Sequence, residues 1–433
     1  MRFLLDDARN DFDRTLDRML RGSGTPAAVR AWAAGDHRAG GALWSRLGEA
    51  GVFGLAVPAE YGGSGRLPVE LAVAFVQLGR HTVPGPVVET VAAAVLLGLL
   101  AEDGGPGPAA SRRPDTGSAK LSGSVSARLP GTGSAKLPGT VSAQLRGIAS
   151  GETRVTLCAP GGGPYALDAD SSDATFVVDG DVLSLATGHG PVQPSLDPAR
   201  RLARPAAGEP LASGPAVRDA AARAAQWASF ATAAQALGTG LALVERTVAY
   251  VKQRHQFGSA VGSFQAVKHR LADALIALEF ARPLLHGAAV ALAAEAPSSA
   301  AEVAAEVAAA KVSAGEAAYA AARTALQLHG AIGYTDEFEL SLWIRKARAL
   351  RTAWGTPADC RAAVVRGAVV GGFAVPAPGP GSAGALGPGS AEASESGAAG
   401  AREPGSAEVR DSGSAEAHES GAAGAAATSP VGR

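Results

Sequence analysis

Three short stretches carry side chains whose types and spacing could do chemistry. The first is Arg254-His255-Gln256-Phe257-Gly258, followed by Gly262-Ser263-Phe264-Gln265. A guanidinium, an aromatic ring and an amide gather there at a turn. That set suits an anionic, partly aromatic ligand such as a dinucleotide. The plain alternative is a helix end, with Arg254 favoured by the helix dipole and Phe257 as a core plug. The second stretch runs from Gln327 to Thr335. Small residues around Gly330 and Gly333 let a ligand approach the backbone closely, and Gln327 and His329 add polar contacts. A helix cap explains the glycines equally well, and a lone histidine is more often structural than catalytic. The third is Trp354-Gly355-Thr356, after the basic run Arg345, Lys346, Arg348 and Arg351. Spacing alone makes it a solvated cationic helix face ended by a turn.

These residues need elements to place them. Residues 210–375 are the most regular part of the chain, and the apolar spacing predicts helices near 217–253, 263–294, 300–330, 338–350 and 358–370. Four or five long antiparallel helices of this kind make a bundle. Residues 1–103 also read as helical. Leu4, Leu5, Ala8, Phe12, Leu16 and Leu20 form one stripe. A helix around Ala42–Ala50 ends at Gly51. A tight loop follows over Gly51–Gly65, where Pro58 and Gly62-Gly63 forbid a helix. Helices resume from about Pro68 to Gly79 and again after Pro86. Residues 148–209 are the only strand region, with Val155–Ala159 and an Ala174–Ala186 hairpin turning at Asp179-Gly180-Asp181. The fold class expected is mainly α with a small β middle domain.

Two stretches are set apart by composition. In 104–147, Ser-Ala-x-Leu recurs at Ser118, Ser126, Ser134 and Ser142, a period of eight that fits neither a helix nor a solenoid. It reads as a flexible low-complexity insert, with a β-hairpin array as the alternative. In 376–433, Gly-Ser-Ala-Glu recurs at Gly389, Gly405 and Gly413. Nothing there offsets the entropy of ordering, so a disordered tail is expected.

Composition narrows the function. Lys+Arg (39) and Asp+Glu (40) nearly cancel among 433 residues, so bulk charge points to neither nucleic acid nor a membrane surface. Two distant cysteines, Cys158 and Cys360, make a disulfide framework or a thiolate metal site improbable, and fit a reducing cytoplasm. The acidic start, with Asp6, Asp7, Asp11 and Asp13, does not read as a signal peptide. No uncharged apolar run of ~18 residues is expected to span a bilayer.

Taken together, the stretches resemble the acyl-CoA dehydrogenase family. VPAEYGGSG is similar to its Gly-rich loop, RHQFGSAVGSFQAVKHRLADA to its Arg-x-x-Phe-Gly…Phe-Gln segment, and QLHGAIGYTDEFELSLWIRKARAL to its Gln-x-x-Gly-Gly-x-Gly-Tyr segment. The likeness covers roughly 1–103 and 210–375. It implies a helical domain, a β middle domain, a C-terminal four-helix bundle and FAD held between subunits of a homo- or hetero-oligomer, dimer or tetramer. An acyl-CoA substrate and an electron-transfer flavoprotein or similar acceptor are implied as partners. By resemblance, Arg254 would contact the FAD diphosphate and Phe257 would line the adenosine side. Gln265 and Gln327 would hydrogen-bond the cofactor, Gln327 from the neighbouring subunit. Gly330 and Gly333 would make room for the ADP part, with Ala331 in place of the more usual glycine, and Thr356 would sit beside the flavin.

The chain departs from that pattern where the reaction is done. The family removes two hydrogens from the Cα–Cβ bond of an acyl thioester. A carboxylate takes the α-proton and flavin N5 takes the β-hydride. In most members the base is a Glu directly before the Gly-Thr pair, and here that position is Trp354. The other usual position is matched by Ala228. Asp359, Asp336 and Glu337 lie nearby, but capping or surface roles are their ordinary explanation. The middle domain offers Thr156 and no tryptophan strand. Three readings stay open: an active dehydrogenase with an unrecognised base, a base-lacking subunit completing a shared FAD site in a hetero-oligomer, and a non-catalytic FAD-binding or structural subunit. The acyl group is not fixed by any of these motifs.

Overall fold

In the computed structural model the described residues are 6–103, 138–294 and 299–370. The expectations for 104–137 and for the 376–433 tail lie outside them. The helix that carries the first motif is also the one around which the rest packs. Its 39 residues, Pro215–Gln253, are α7 once the preceding elements are counted. Those are α1 (Asp7–Arg21), α2 (Thr25–Ala33), α3 (Arg38–Glu49), α4 (Pro68–Arg80), α5 (Val87–Asp103) and α6 (Pro138–Ser150). The strands follow as β1 (Val155–Cys158), β2 (Ala166–Leu167), β3 (Ala174–Asp179), β4 (Val182–Ala186), β5 (Leu202–Ala203) and β6 (Gly208–Ser213). After α7 come a two-strand hairpin, β7 (His255–Gln256) and β8 (Ser259–Ala260), then α8 (Gln265–Ala293), α9 (Ala300–His329), α10 (Leu340–Leu350) and α11 (Pro357–Val370).

α7 packs on α4, α5, α8, α9 and α10. A helix buried nearly all round needs small residues where neighbours cross, and α7 has them. A Cβ on Gly238 would lie 1.9 Å from the Val76 carbonyl oxygen, and one on Gly79 of α4 would lie 2.0 Å from that of Gln235. Two glycines therefore let α4 and α7 touch backbone to backbone. The threonine hydroxyls buried in α7 bond back along the helix. Thr232, Thr239 and Thr247 donate to the carbonyls of Ala228, Gln235 and Leu243 at 2.7, 2.8 and 2.6 Å. At an open helix site, Gly→Ala would add about 1 kcal/mol of helix preference. At Gly238 the clash with backbone outweighs it. Gly238→Ala is expected to lower stability by about 1–3 kcal/mol, read as a lower urea midpoint with unchanged m; an unchanged or raised midpoint would contradict the close crossing.

The sheet is small, as expected from the residues available. Its order is β1-β3-β4-β6. β1 runs parallel to β3, Val155 opposite Ala174, and β3–β4 is the predicted hairpin, turning with Gly180 at φ +60°. β4 and β6 pair antiparallel, with an irregularity between Leu183 and Ser184. β2 and β5 form a separate antiparallel pair.

Three corrections follow. Residues 138–147, read as insert, form most of α6. Val141, Leu145 and Ile148 recur at i, i+4 and i+7 and are buried in the main core. The eight-residue grid continues through Ser142–Leu145 and hid this helical stripe. Second, the strand region extends past 209, because β6 reaches Ser213, and the bundle starts at Pro215. Third, α7 and α8 are long and apolar enough to cross a membrane by length and composition. The most apolar stretch of α7 is wholly buried in the fold, while that of α8 is only 28% buried. Leu275, Ile276, Phe280 and Leu284 stand exposed on α8, Phe280 at 70%.

Candidate functional site

α7 ends at Arg254, whose amide donates to the Tyr250 carbonyl at 2.9 Å and whose carbonyl accepts from Val261 at 2.7 Å. The chain then reverses through β7 and β8, His255 opposite Ala260 and Gln256 opposite Ser259. This leaves Phe257-Gly258 as the two-residue turn, at φ +53° and +78°. A positive φ at both positions is what this tightest hairpin turn requires, and it costs a phenylalanine of the order of 1 kcal/mol or more. The strained Phe257 is no core plug, since it is 93% exposed and meets Phe264 edge-on at 6.5 Å. Gln265 is the first residue of α8 and is exposed. The Arg254 guanidinium is exposed and has no ion-pair partner among the described residues. Polar and aromatic groups thus stand outward at the predicted turn.

The second motif lies at the end of α9, tied to the first by a ring stack. Tyr250 of α7 and His329 of α9 stack at 4.0 Å, with Phe338 against His329 at 5.4 Å. His329 Nδ1 lies 2.8 Å from the Ala325 carbonyl, and burial pushes its pKa below the ordinary histidine value. His329 is therefore the structural histidine that its type suggested. Gly330 adopts φ +66°, and Gly333 is buried where a Cβ would press on Leu326 and His329 at 3.1 and 3.2 Å. Beside them opens a groove of about 640 Å³ lined by Arg270, Arg323, Thr324, Gln327, Gly330 and Tyr334, among others. Arg254 and Phe257 do not line it. Arg270 and Arg323 were not among the predicted residues. Ala320, Arg323, Thr324 and Gln327 share one stripe of α9 by their i, i+3, i+4, i+7 spacing, and that stripe was readable in the sequence.

The third motif faces inward. Trp354 is 5% exposed at φ +53°. Its Nε1–H donates to Glu89 Oε1 of α5 at 3.0 Å. Its ring fills the space beside Gly162, where a Cβ would meet it at 2.8 Å. Lys311 of α9 holds the loop in place, its ammonium donating to the carbonyls of Leu350, Arg351 and Gly355 at 3.1, 3.2 and 3.1 Å. Burial pushes the Lys311 pKa down to about 8. Thr356 turns away: it bonds to Asp359 at 2.6 Å and accepts from the Asp359 amide, which starts α11. Thr356 is thus the N-cap of α11, the Asp359 carboxylate accepting from its hydroxyl, and Asp336 is an exposed partner of Arg345. Ala228 is fully buried, and Thr156 is buried with its hydroxyl unpartnered among the described residues.

Behind Trp354 lies a polar cluster that the sequence reading missed: Glu89, Asp168, Gln235 and Lys346, all buried, with Arg200 at its edge. The space left among them is about 10 Å³, room for one water at most. Lys346 donates to the Val83 carbonyl at 3.0 Å. Asp168, at φ +54°, accepts from Trp32 Nε1 at 3.0 Å and from the Arg201 amide at 3.3 Å. Its other oxygen has no partner among the described residues. Burial, with Glu89 nearby, pushes its pKa up to about 7 despite those donors. Because the folded value lies above the unfolded one, stability is full below about pH 4 and is lost as pH rises towards 7. Asp168→Asn keeps the acceptor and removes the titration. Its melting temperature relative to the parent is expected to climb between pH 5 and pH 8 by the equivalent of roughly 3 kcal/mol, two pKa units at about 1.4 kcal/mol each; a difference that does not change with pH would contradict this.

Comparison with known proteins agrees with this architecture. Residues 6–106 match the family model for the acyl-CoA dehydrogenase N-terminal domain, and residues 219–368 that for the C-terminal domain. The acyl-CoA dehydrogenase IpdE2 of Mycobacterium tuberculosis is 31% identical over 337 residues, covering 74% of this chain and 85% of the relative. Among solved structures, the ChsE4-ChsE5 complex from Mycobacterium tuberculosis superposes with a TM-score of 0.65 at 21% identity, over 86% of this chain and 99% of that one. An acyl-CoA dehydrogenase complexed with FAD from Bacillus anthracis gives 0.65 at 17%, over 85% and 69%. The chain belongs to the acyl-CoA dehydrogenase family.

Proposed function

We propose that the chain is a subunit of an FAD-dependent acyl-CoA dehydrogenase, holding the ADP end of the cofactor at a subunit boundary while supplying no proton-abstracting base of its own. The observation that carries this reading is Trp354. An indole cannot accept the α-proton, and this one is packed, hydrogen-bonded to Glu89 and backed by a space too small for a thioester. A partner chain of the same family would supply the glutamate. Sharing of this kind fits the two-protein ChsE4-ChsE5 complex as a structural neighbour and the bare apolar stripe Ile276, Phe280 and Leu284 on α8. Such a stripe marks a surface that another protein covers.

The residues present fit the cofactor on the outward side. Arg254 would hold a diphosphate through a charge-assisted, two-pronged contact. Gln265 and Gln327 offer amides, and Gly330, exposed with open space where a Cβ would stand, leaves the backbone open, whereas Gly333 is packed against Leu326 and His329. FAD, when bound, supplies the hydride acceptor. This chain's residues bind and orient it, and the Trp354 plug keeps water and thioester out of its own inner pocket. Electrons would pass to an electron-transfer flavoprotein or similar acceptor, and the setting is cytoplasmic. The test is the visible spectrum and turnover of the chain purified alone and co-expressed with a glutamate-bearing family member. The expected result is flavin retained by the pair, with turnover only there. Sustained turnover by the chain alone would refute the shared-site reading.

A further inference from the structure

The groove beside Gln327 holds two guanidinium groups that neither the family motif nor the proposed function assigns. Arg270 projects from the second turn of α8 and Arg323 from α9, one turn before Gln327. Both are exposed, and neither has an ion-pair partner among the described residues. Many arginines elsewhere in the fold do pair, among them Arg9 with Glu70, Arg80 with Glu245, Arg201 with Asp170 and Arg345 with Asp336. The groove lining contains two cations and no carboxylate, although the whole chain is balanced at a net charge of −1. Such a concave surface of one sign concentrates anions. Its floor is made low by Ala320 and Gly330, and its rim carries Tyr334, 75% exposed, with a bare aromatic face.

We infer that Arg270 and Arg323 are a second pair of phosphate-binding cations, clamping the diphosphate of an adenine dinucleotide from α8 and α9 while Tyr334 takes the adenine. This rests on the reading of the chain as an FAD-holding subunit and adds to it. Arg254, at the end of α7, does not line the groove, so Arg270 and Arg323 form a cation set distinct from it. Gln327, on the Arg323 stripe, is placed to hydrogen-bond the ribose or the phosphate oxygens. The pair also sets a preference: a flavin mononucleotide, which lacks the AMP half and so has a single phosphate and no adenine, would fill the groove poorly.

The experiment is a titration of the full-chain oligomer with FAD, followed by flavin fluorescence, and with ADP as competitor, for the parent, Arg270→Gln, Arg323→Gln, the double variant and Arg323→Lys. Each single glutamine variant is expected to weaken FAD and ADP about 10-fold, the equivalent of about 1.4 kcal/mol. The double variant should show a shallower dependence of affinity on salt. Arg323→Lys should recover only part of the loss, because an ammonium keeps the charge without the two-pronged geometry. Unchanged thermal melting keeps the comparison free of misfolding. If the parent binds FAD and the double variant binds it equally well at every salt concentration, the inference fails and the cofactor reading stands. If the assembled parent binds neither FAD nor ADP, the cofactor reading itself fails.

Discussion

Replacing Arg254 with alanine is expected to weaken FAD retention roughly 10- to 100-fold, the range that losing a hydrogen bond to a charged group produces, about 1.5–3 kcal/mol. The fold gives a reason to expect the effect without a loss of stability. Arg254 sits just past the last turn of α7, and only its backbone takes part in the turn, through Tyr250 and Val261. The side chain is exposed and unpaired among the described residues. Alanine leaves those backbone bonds intact, so the melting curve should hardly move while flavin is lost on gel filtration. Retention equal to the parent would refute the placement of the diphosphate at this turn. A drop in melting temperature of apoprotein would return Arg254 to the helix-end role open to it from sequence.

The largest effect on stability is expected at Trp354. Trp354→Ala removes a buried ring and leaves a cavity between α5 and the loop at Gly162, a change that costs about 3–5 kcal/mol. It also takes from Glu89 the only hydrogen bond its carboxylate makes among the described residues. Trp354→Phe separates the two contributions. It keeps most of the volume and loses only the N–H, which should cost about 1–3 kcal/mol for a buried carboxylate left bare. The order expected in urea is parent, then phenylalanine, then alanine. A phenylalanine variant as stable as the parent would show that the Glu89 bond carries nothing. An alanine variant as stable as the parent would show that the indole is not packed as described.

Most of the bundle was readable because its helices are long, rich in helix-forming residues and end at strong signals. The break at Arg254 and the stop at Gly330 fell where the sequence placed them. The hairpin at Gly180 was readable from its turn residue. α6 was not, because its Val141, Leu145 and Ile148 stripe is short and overprinted by the Ser-Ala-x-Leu grid. Likewise β6 lacks apolar alternation, since Gly208–Ser213 pairs through backbone on the sheet edge.

Site residues divide the same way. Arg254, Gln327 and Gly330, each within or beside a helix end, are proposed from local pattern. Glu89, Asp168 and Lys346 could not be found this way, because they meet only after α5, the β region and α10 pack together, and nothing within ten residues of any of them predicts the others. Trp354 was legible as a substitution of the expected base, while its burial and its bond to Glu89 belong to the tertiary fold. Thr356 shows the limit in the other direction. Its match to the family motif was plain, yet in this chain its hydroxyl is engaged by Asp359 at the start of α11.

The central claim is that the proton-abstracting half of the reaction belongs to a partner. It is tested most directly in the mixed complex of this chain with a family member that carries glutamate before its Gly-Thr pair. With an acyl-CoA that the complex oxidises, that glutamate is changed to glutamine and turnover is measured again. The account predicts that dehydrogenation disappears while FAD remains bound. Survival of about half the activity would show that this chain has a working base of its own, and would contradict the claim.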